Sequence, residues 1–110
     1  MRRFELEPFL ANIKKYQCNE AGIVPPIAIA IIMSGFGEKY SLTSLKYLAC
    51  GAAPLGKSSQ DRLKALLAPD ARVSQVWGMT EMSCISSHFP YPTDDVTGSV
   101  GYFLPNVDVK

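Results

Sequence analysis

Short apolar runs alternate with segments of helical periodicity along this chain, and this alternation constrains its fold more than any other feature. Three runs have the length and composition of buried strands, at 21–24, 46–50 and 73–77. The helical patterns lie before and between them, at 8–16, 27–33 and 56–67. Strands that alternate with helices favour parallel pairing with right-handed crossovers. We therefore predict an α/β fold with a partial, mostly parallel sheet and crossover helices.

Local signals suggest where the helices begin and end. Pro25-Pro26 can open the second helix, because proline is tolerated in a first turn. Gly35 and Gly37 are expected to end it. Ser58 and Asp61 have the spacing of a capping box at the start of the third helix.

Charge, hydropathy and cysteine content exclude several classes of protein. Eleven basic residues face ten acidic ones, so the net charge of +1 predicts no nucleic-acid partner. The longest apolar stretch, 23–33, is far shorter than the roughly 20 residues that span a bilayer, so no membrane span is expected. Three widely spaced cysteines imply neither a disulfide framework nor a paired zinc motif, and a reducing compartment is the simpler interpretation.

Two loops carry the residues best suited to ligand chemistry. The first, 51–57, has small side chains that let a ligand approach the backbone, although a strand-to-helix turn without a ligand is an equally good reading. In the second, 75–81, Trp77 offers a flat face for a base and Gly78 allows close approach. Thr80 can donate to a phosphate oxygen, and Glu81 is a hard oxygen ligand for Mg²⁺. From composition alone, a core tryptophan in an ordinary polar turn remains the better-supported alternative.

Within these segments, the turns at 51–56 and 78–81 each follow a predicted strand, so the topology places them on the same edge of the sheet, where ligands of such sheets bind. A glycine-bounded segment at 97–101 is weaker evidence and reads by default as a surface turn. The segment 90–95 is expected to be a surface loop. His88 is the only histidine, which makes a metal-binding or catalytic role for it improbable.

Taken together, these segments resemble the adenylate-forming (AMP-binding) superfamily, which includes acyl-CoA synthetases, firefly luciferase and adenylation domains. The resemblance covers nearly the whole chain and is strongest to the 4-coumarate–CoA ligase-like branch. It is carried by 51–57, 75–81, 98–101 and 104–106. It implies part of the large N-terminal domain of an acyl-CoA synthetase-like enzyme. Such enzymes use Mg·ATP to convert a carboxylate to an acyl-adenylate, and coenzyme A then displaces AMP.

The resemblance also assigns roles to residues. Gly51, Ala52 and Ala53 would line the adenine and acyl pockets, Thr80 would contact the α-phosphate, and Glu81 would help to hold Mg²⁺. Thr80 and Glu81 are thus the expected catalytic residues, and Glu81 is the expected metal ligand. The expected nucleotide-binding residues are Gly51, Ala52, Ala53, Pro54, Val76, Trp77, Gly78, Met79 and Thr80.

Three positions depart from the family pattern. Val76 stands where glycine is usual and should intrude on the acyl pocket. Trp77 replaces a tyrosine beside the adenine, which keeps a stacking face but removes a phenol. Cys50 replaces a common serine. These departures affect the substrate assignment more than the family assignment.

The resemblance further implies that 1–110 is a partial AMP-binding domain and is inactive alone. The family's phosphate loop, its downstream aspartate and its small C-terminal domain lie outside it, and 107–110 reads as a strand in progress. The partners would be the rest of the parent chain, ATP, coenzyme A and an aromatic or fatty carboxylic acid, in the cytoplasm or a peroxisome. The alternatives are a truncated, non-catalytic binding or docking module and an adenylation domain that loads a carrier protein.

Overall fold

The computed structural model describes residues 3–110, which form four helices, six strands and one 3₁₀ turn. In chain order these are α1 (Leu6–Tyr16), β1 (Glu20–Ile23), α2 (Pro25–Ser34), α3 (Phe36–Tyr40), β2 (Tyr47–Cys50), α4 (Lys57–Lys64), β3 (Arg72–Gln75), β4 (Trp77–Met79), the 3₁₀ turn (Thr80–Met82), β5 (Cys84–His88) and β6 (Tyr102–Phe103). None of the helices in this part of the chain is long and apolar enough to cross a bilayer.

The first sheet is parallel, with the strand order β1-β2-β3. Ile23 pairs with Cys50, and Cys50 pairs with Gln75, so the three strands end level with one another. The loops that follow β2 and β3 therefore leave from the same edge. This confirms the predicted α/β class and the parallel sheet. The segments that follow β2 and β3 share the predicted edge, but the second of them contains strand β4 where a turn was expected.

The helices bury their apolar side chains against this sheet. Along β2 burial alternates, with Leu48 and Cys50 buried and Tyr47 only partly so, because successive side chains point to opposite faces of a strand. α2 lies in the connection from β1 to β2, and α4 in the connection from β2 to β3. The two helices pack against each other and form one layer. The core consists of Leu10, Ile13, Ile23, Ala28, Ile31, Leu42, Leu45, Leu48, Cys50, Leu55, Leu63, Leu67, Ala71 and Val73.

A second sheet was not predicted. β4, β5 and β6 pair antiparallel in that order, so the chain changes sheet directly after β3. The predicted third strand at 73–77 ends instead at Gln75, and Trp77 begins β4. The extended segment expected near Ser83–Phe89 is present as β5.

Some predicted boundaries were wrong for local reasons. Gly35 does end α2, in a left-handed conformation (φ 70°), but Gly37 lies inside α3, where a Cβ would approach Leu66 Cδ1 to 2.9 Å. Helix α4 begins after Gly56 with no side-chain cap, and Asp61 instead accepts a hydrogen bond from Lys57 Nζ at 2.7 Å.

The strand predicted at 107–110 does not form among the described residues. The chain turns just before it, at Pro105 and Asn106, where the backbone N–H of Val107 donates to the carbonyl of Leu104 at 3.3 Å. The segment 90–95 is a loop as expected, but its last residue, Asp95, is buried.

Candidate functional site

Three segments meet around one cavity beside the edge at which β2 and β3 end. Its volume is about 370 Å³, within the range of small-molecule sites. The first wall comes from the loop after β2, the second from the end of β3 and the start of β4, and the third from the glycine turn before β6. The lining residues are Ala52, Ala53, Pro54, Leu55, Gln75, Val76, Trp77, Gly78, Gly98 and Val100.

The walls of the cavity are uncharged, since none of these ten side chains ionises near neutral pH. Trp77 is 38% exposed, so part of its side chain is open to solvent. Small side chains and a partly exposed indole suit a flat heteroaromatic base or an apolar acyl group. The cavity offers no side-chain charge to a phosphate.

Gln75 holds two of the walls together through its side-chain amide. Its Oε1 accepts a hydrogen bond from the backbone N–H of Leu55 at 2.7 Å, and its Nε2 donates to the carbonyl of Gly98 at 2.8 Å. The residue is buried. The first and third segments are therefore fixed relative to β3 by one side chain.

Asp95 fixes the third segment from the other side. Its Oδ1 accepts from the backbone N–H groups of Thr97 at 2.8 Å and Gly98 at 2.9 Å, and its Oδ2 accepts from Gln60 Nε2 at 2.9 Å. Burial alone would raise the pKa of the Asp95 carboxyl, but the hydrogen bonds from Gln60, Thr97 and Gly98 outweigh burial and leave the pKa below its usual value. The turn at Gly98 is thus held by a buried, ionised carboxylate.

The glycines beside the cavity are explained by the chain itself, Gly51 by packing and Gly98 by its backbone conformation. A Cβ on Gly51 would lie 2.7 Å from Val76 Cγ2, so the absence of a side chain at Gly51 makes room for Val76. Gly98 has φ +77°, a conformation that a larger residue resists. Ala52 adopts a left-handed conformation as well (φ 69°), which is uncommon for a residue with a Cβ.

The structure brings most of the predicted pocket residues together. Of the predicted set, Ala52, Ala53, Pro54, Val76, Trp77 and Gly78 line the cavity. Gly51 lies behind the wall against Val76 rather than in it. The sequence reasoning did not assign Leu55, Gln75, Gly98 or Val100 to the site, although 98–101 was singled out as a glycine turn.

Met79, Thr80 and Glu81 lie beyond the lining residues. Met79 ends β4, and Thr80 and Glu81 are exposed in the 3₁₀ turn that follows. No group of three or more potential metal ligands occurs among residues 3–110. Mg²⁺ is commonly held by one or two carboxylates together with substrate phosphates, so the single exposed carboxylate of Glu81 could supply one ligand of such a metal.

Asp95 was missed because a charged residue in a proline-rich loop is expected on the surface. A signal was present in its neighbours. Asp95 is followed two and three residues later by Thr97 and Gly98, which is typical of a turn in which the aspartate accepts backbone N–H bonds.

Comparison with known proteins identifies the family. The model of the AMP-binding enzyme family matches residues 1–110. The chain is 49% identical over 110 residues to the acyl-CoA synthetase ACTT5 of Alternaria alternata, and 52% identical over 112 residues to the phenylacetyl-CoA ligase epaB of Aspergillus niger. It is 37% identical over 114 residues to 4-coumarate–CoA ligase 2 of Oryza sativa subsp. japonica. All of this chain is covered in each case, but it spans only about a fifth of the relatives' length, 19%, 21% and 20% respectively.

A solved structure has the same fold. The long-chain-fatty-acid-CoA ligase FadD1 of Archaeoglobus fulgidus superposes with a TM-score of 0.74 at 27% sequence identity. The match covers 91% of this chain and 22% of that protein. The paired strands, the cavity at their carboxyl edge and the match along all 110 residues lead to one conclusion: this chain belongs to the AMP-binding enzyme family.

Proposed function

We propose that residues 1–110 form part of the nucleotide and acyl pocket of an ATP-dependent carboxylate–CoA ligase of the 4-coumarate–CoA ligase-like type. The observation that carries this proposal is the meeting of three segments around an uncharged cavity that Trp77 borders. The relatives are named as acyl-CoA, phenylacetyl-CoA and 4-coumarate–CoA ligases, which supports an acid–thiol ligase. Because the chain spans about a fifth of them, the complete reaction is assigned to a longer protein that contains it.

Each part of the site has a task in the proposed reaction. Trp77 stacks on the adenine, while the small residues Ala52 and Ala53 let the ring lie close to the backbone. Thr80 donates to an α-phosphate oxygen, and Glu81 is a ligand of Mg²⁺. Bound Mg²⁺ would neutralise charge on the phosphates as pyrophosphate leaves.

The acyl substrate is an aromatic or fatty carboxylic acid in this proposal. The apolar walls of the cavity suit either class, and two of the relatives are named for aromatic acids. Val76 lines the cavity, and its Cγ2 packs over Gly51. Its side chain is therefore expected to select among acids by size.

The test is pyrophosphate release by the complete protein that carries residues 1–110, across a panel of aromatic and fatty acids. We expect release to require both Mg·ATP and an acid, and an acyl-CoA thioester to form only when coenzyme A is added. Pyrophosphate release that is independent of any acid would contradict the proposal. Acid-dependent release without thioester formation would contradict its second half and indicate a different acceptor, such as a carrier protein.

A further inference from the structure

The side chain of Gln75 is the one direct link between the first and third walls of the cavity among the side-chain hydrogen bonds of residues 3–110. It lies on β3, which forms neither of those walls, and reaches Leu55 on one side and Gly98 on the other. Only 4% of Gln75 is exposed. Its amide oxygen and nitrogen are thus both engaged with the backbone of the walls.

The link has a firm attachment at each end. The backbone of Gln75 belongs to the parallel sheet, where it pairs with Cys50. Gly98 is held in its positive-φ conformation by Asp95, which is itself tied to Gln60 on α4. A change in the Gln75 side chain would therefore remove the direct tie between the walls, while Asp95 keeps the third wall attached to α4.

We propose that Gln75 is a positioning residue that sets the separation of the two cavity walls, and so the affinity of the site for the nucleotide. This inference rests on the proposed function. Gln75 acts through Leu55 and Gly98, since both of its polar atoms are bonded to them. Because Gln75 keeps the walls at a fixed separation, less conformational entropy is lost when a ligand binds than if the two loops were loose.

The chemistry of the link requires an amide. One wall presents an N–H and the other a carbonyl, so the linking group must accept at one atom and donate at the other. Glutamine does both, whereas an ionised glutamate can only accept. Gln75→Glu would keep the bond from Leu55 but place a carboxylate oxygen against the carbonyl of Gly98. A protonated glutamate again has one acceptor and one donor, in nearly the same shape.

This difference provides a test that simple loss of packing cannot imitate. AMP binding to the complete protein is measured by calorimetry for the wild type and Gln75→Glu, at roughly pH 8.5 and pH 5.5. Burial raises the pKa of a glutamate above its ordinary value of about 4.3, so the lower pH favours the protonated side chain and the higher pH the ionised one. We expect affinity about tenfold below wild type at the higher pH, in line with a buried acceptor left unpaired, and recovery towards wild type at the lower pH. The wild type at each pH corrects for titration of AMP itself. The charged groups on the neighbouring segments, Lys57 and Asp95, are present in both proteins.

Two further variants complete the experiment. Gln17→Glu is the matched control, because Gln17 also donates through Nε2 to a backbone carbonyl, that of Lys14 at 2.7 Å, but lies exposed at the end of α1. It should bind AMP like the wild type at both pH values. Gln75→Met keeps the length of the side chain without either hydrogen bond, and should bind weakly at both pH values. It replaces Gln75→Glu as the test if the latter does not fold at the higher pH.

Hydrogen exchange over 52–55 and 97–101 reports on the link without any nucleotide. We expect faster exchange in both segments for Gln75→Glu at the higher pH and for Gln75→Met. Failure of the wild type to bind AMP would contradict the proposed function, whereas unchanged exchange in these segments would contradict the link itself. Wild-type AMP affinity in both Gln75 variants at both pH values would overturn the inference.

Discussion

The carbonyl oxygen of Cys84 lies against Gly78, so close that a Cβ built on the glycine would be 1.9 Å from it. The contact lies where β4 pairs with β5, next to an irregularity in the register between Trp77 and Gly78. Gly78 was expected to allow a ligand to approach. The absence of a side chain at Gly78 is required instead by the close approach of strand β5 of the same chain.

Gly78→Ala should therefore be strongly destabilising. The added methyl group meets backbone, which cannot rotate away, and overpacking against backbone costs on the order of 2–4 kcal/mol. Gly22→Ala is the matched control, because Gly22 also lies in a strand but a Cβ there would meet nothing within 4 Å. The free energy of unfolding from urea denaturation should fall for Gly78→Ala and change by less than about 1 kcal/mol for the control. Equal stability of the two variants would contradict this account of the second sheet.

Asp95→Asn should weaken the fold at neutral pH and alter its response to acid. The pKa of Asp95 is lowered in the folded state, so its ionised form contributes stability above the unfolded-state pKa of about 4. That contribution is lost as the pH falls through the folded pKa. An asparagine would set an N–H group against Gln60 or the backbone N–H groups, at a cost of about 1–3 kcal/mol.

The measurement is the free energy of unfolding between roughly pH 3 and pH 7 for both proteins. The difference in the free energy of unfolding between wild type and Asp95→Asn should be constant near neutral pH and should narrow as the pH falls below about 4. Glu7 and Asp70 also have lowered pKa values, through hydrogen bonds from Lys39 and Lys46 respectively, and both are retained in the variant. A gap that widens in acid would show that Asp95 is not held ionised.

The parallel sheet and its ligand edge could be predicted because they depend on local patterns. The apolar runs near Leu48 and Val73 are recognisable on their own, and the order of strands and helices then fixes parallel pairing. Once pairing is parallel, two loops that follow strands must share an edge. This is why the sequence alone places the small residues near Ala52 beside the aromatic Trp77.

The second sheet and the burial of Asp95 depend on contacts that no local pattern encodes. β4 has three residues and β6 has two, which is too short for alternation of apolar and polar residues to be recognised. Asp95 is buried because Gln60, 35 residues away, donates to it. The role of Gln75 was missed for the same reason, since its partners Leu55 and Gly98 lie 20 and 23 residues away.

Val76→Ala should change which acids the ligase accepts. Val76 lines the cavity and packs its Cγ2 over Gly51, so Val76→Ala removes two methyl groups from this wall. A difference of one methylene in an apolar pocket typically changes discrimination by about 10-fold to 200-fold. The ratio of kcat/KM for naphthoic acid to that for benzoic acid should rise by about tenfold in the complete protein. Val96→Ala, at a position that is 76% exposed, should leave the ratio unchanged.

An unchanged ratio in Val76→Ala would place the acyl group elsewhere and leave the cavity to the nucleotide alone. A fall in kcat/KM for both acids by the same factor would instead indicate that Val76 supports the shape of the site without selecting the substrate.

Glu81→Ala should lower turnover of the complete protein through its use of Mg²⁺. Glu81 is exposed in the turn after β4 and makes no side-chain hydrogen bond or ion pair within residues 3–110, so its removal should leave the free energy of unfolding within about 0.5 kcal/mol. If its carboxylate is a metal ligand, turnover should fall by about tenfold or more, and more Mg²⁺ should be needed for half-maximal rate. Glu38→Ala, which removes another exposed carboxylate in α3, is the control. Pyrophosphate release measured over a Mg²⁺ titration distinguishes Glu81→Ala from the Glu38→Ala control. If Glu81→Ala had the wild-type rate and Mg²⁺ dependence, Glu81 would not be part of the site.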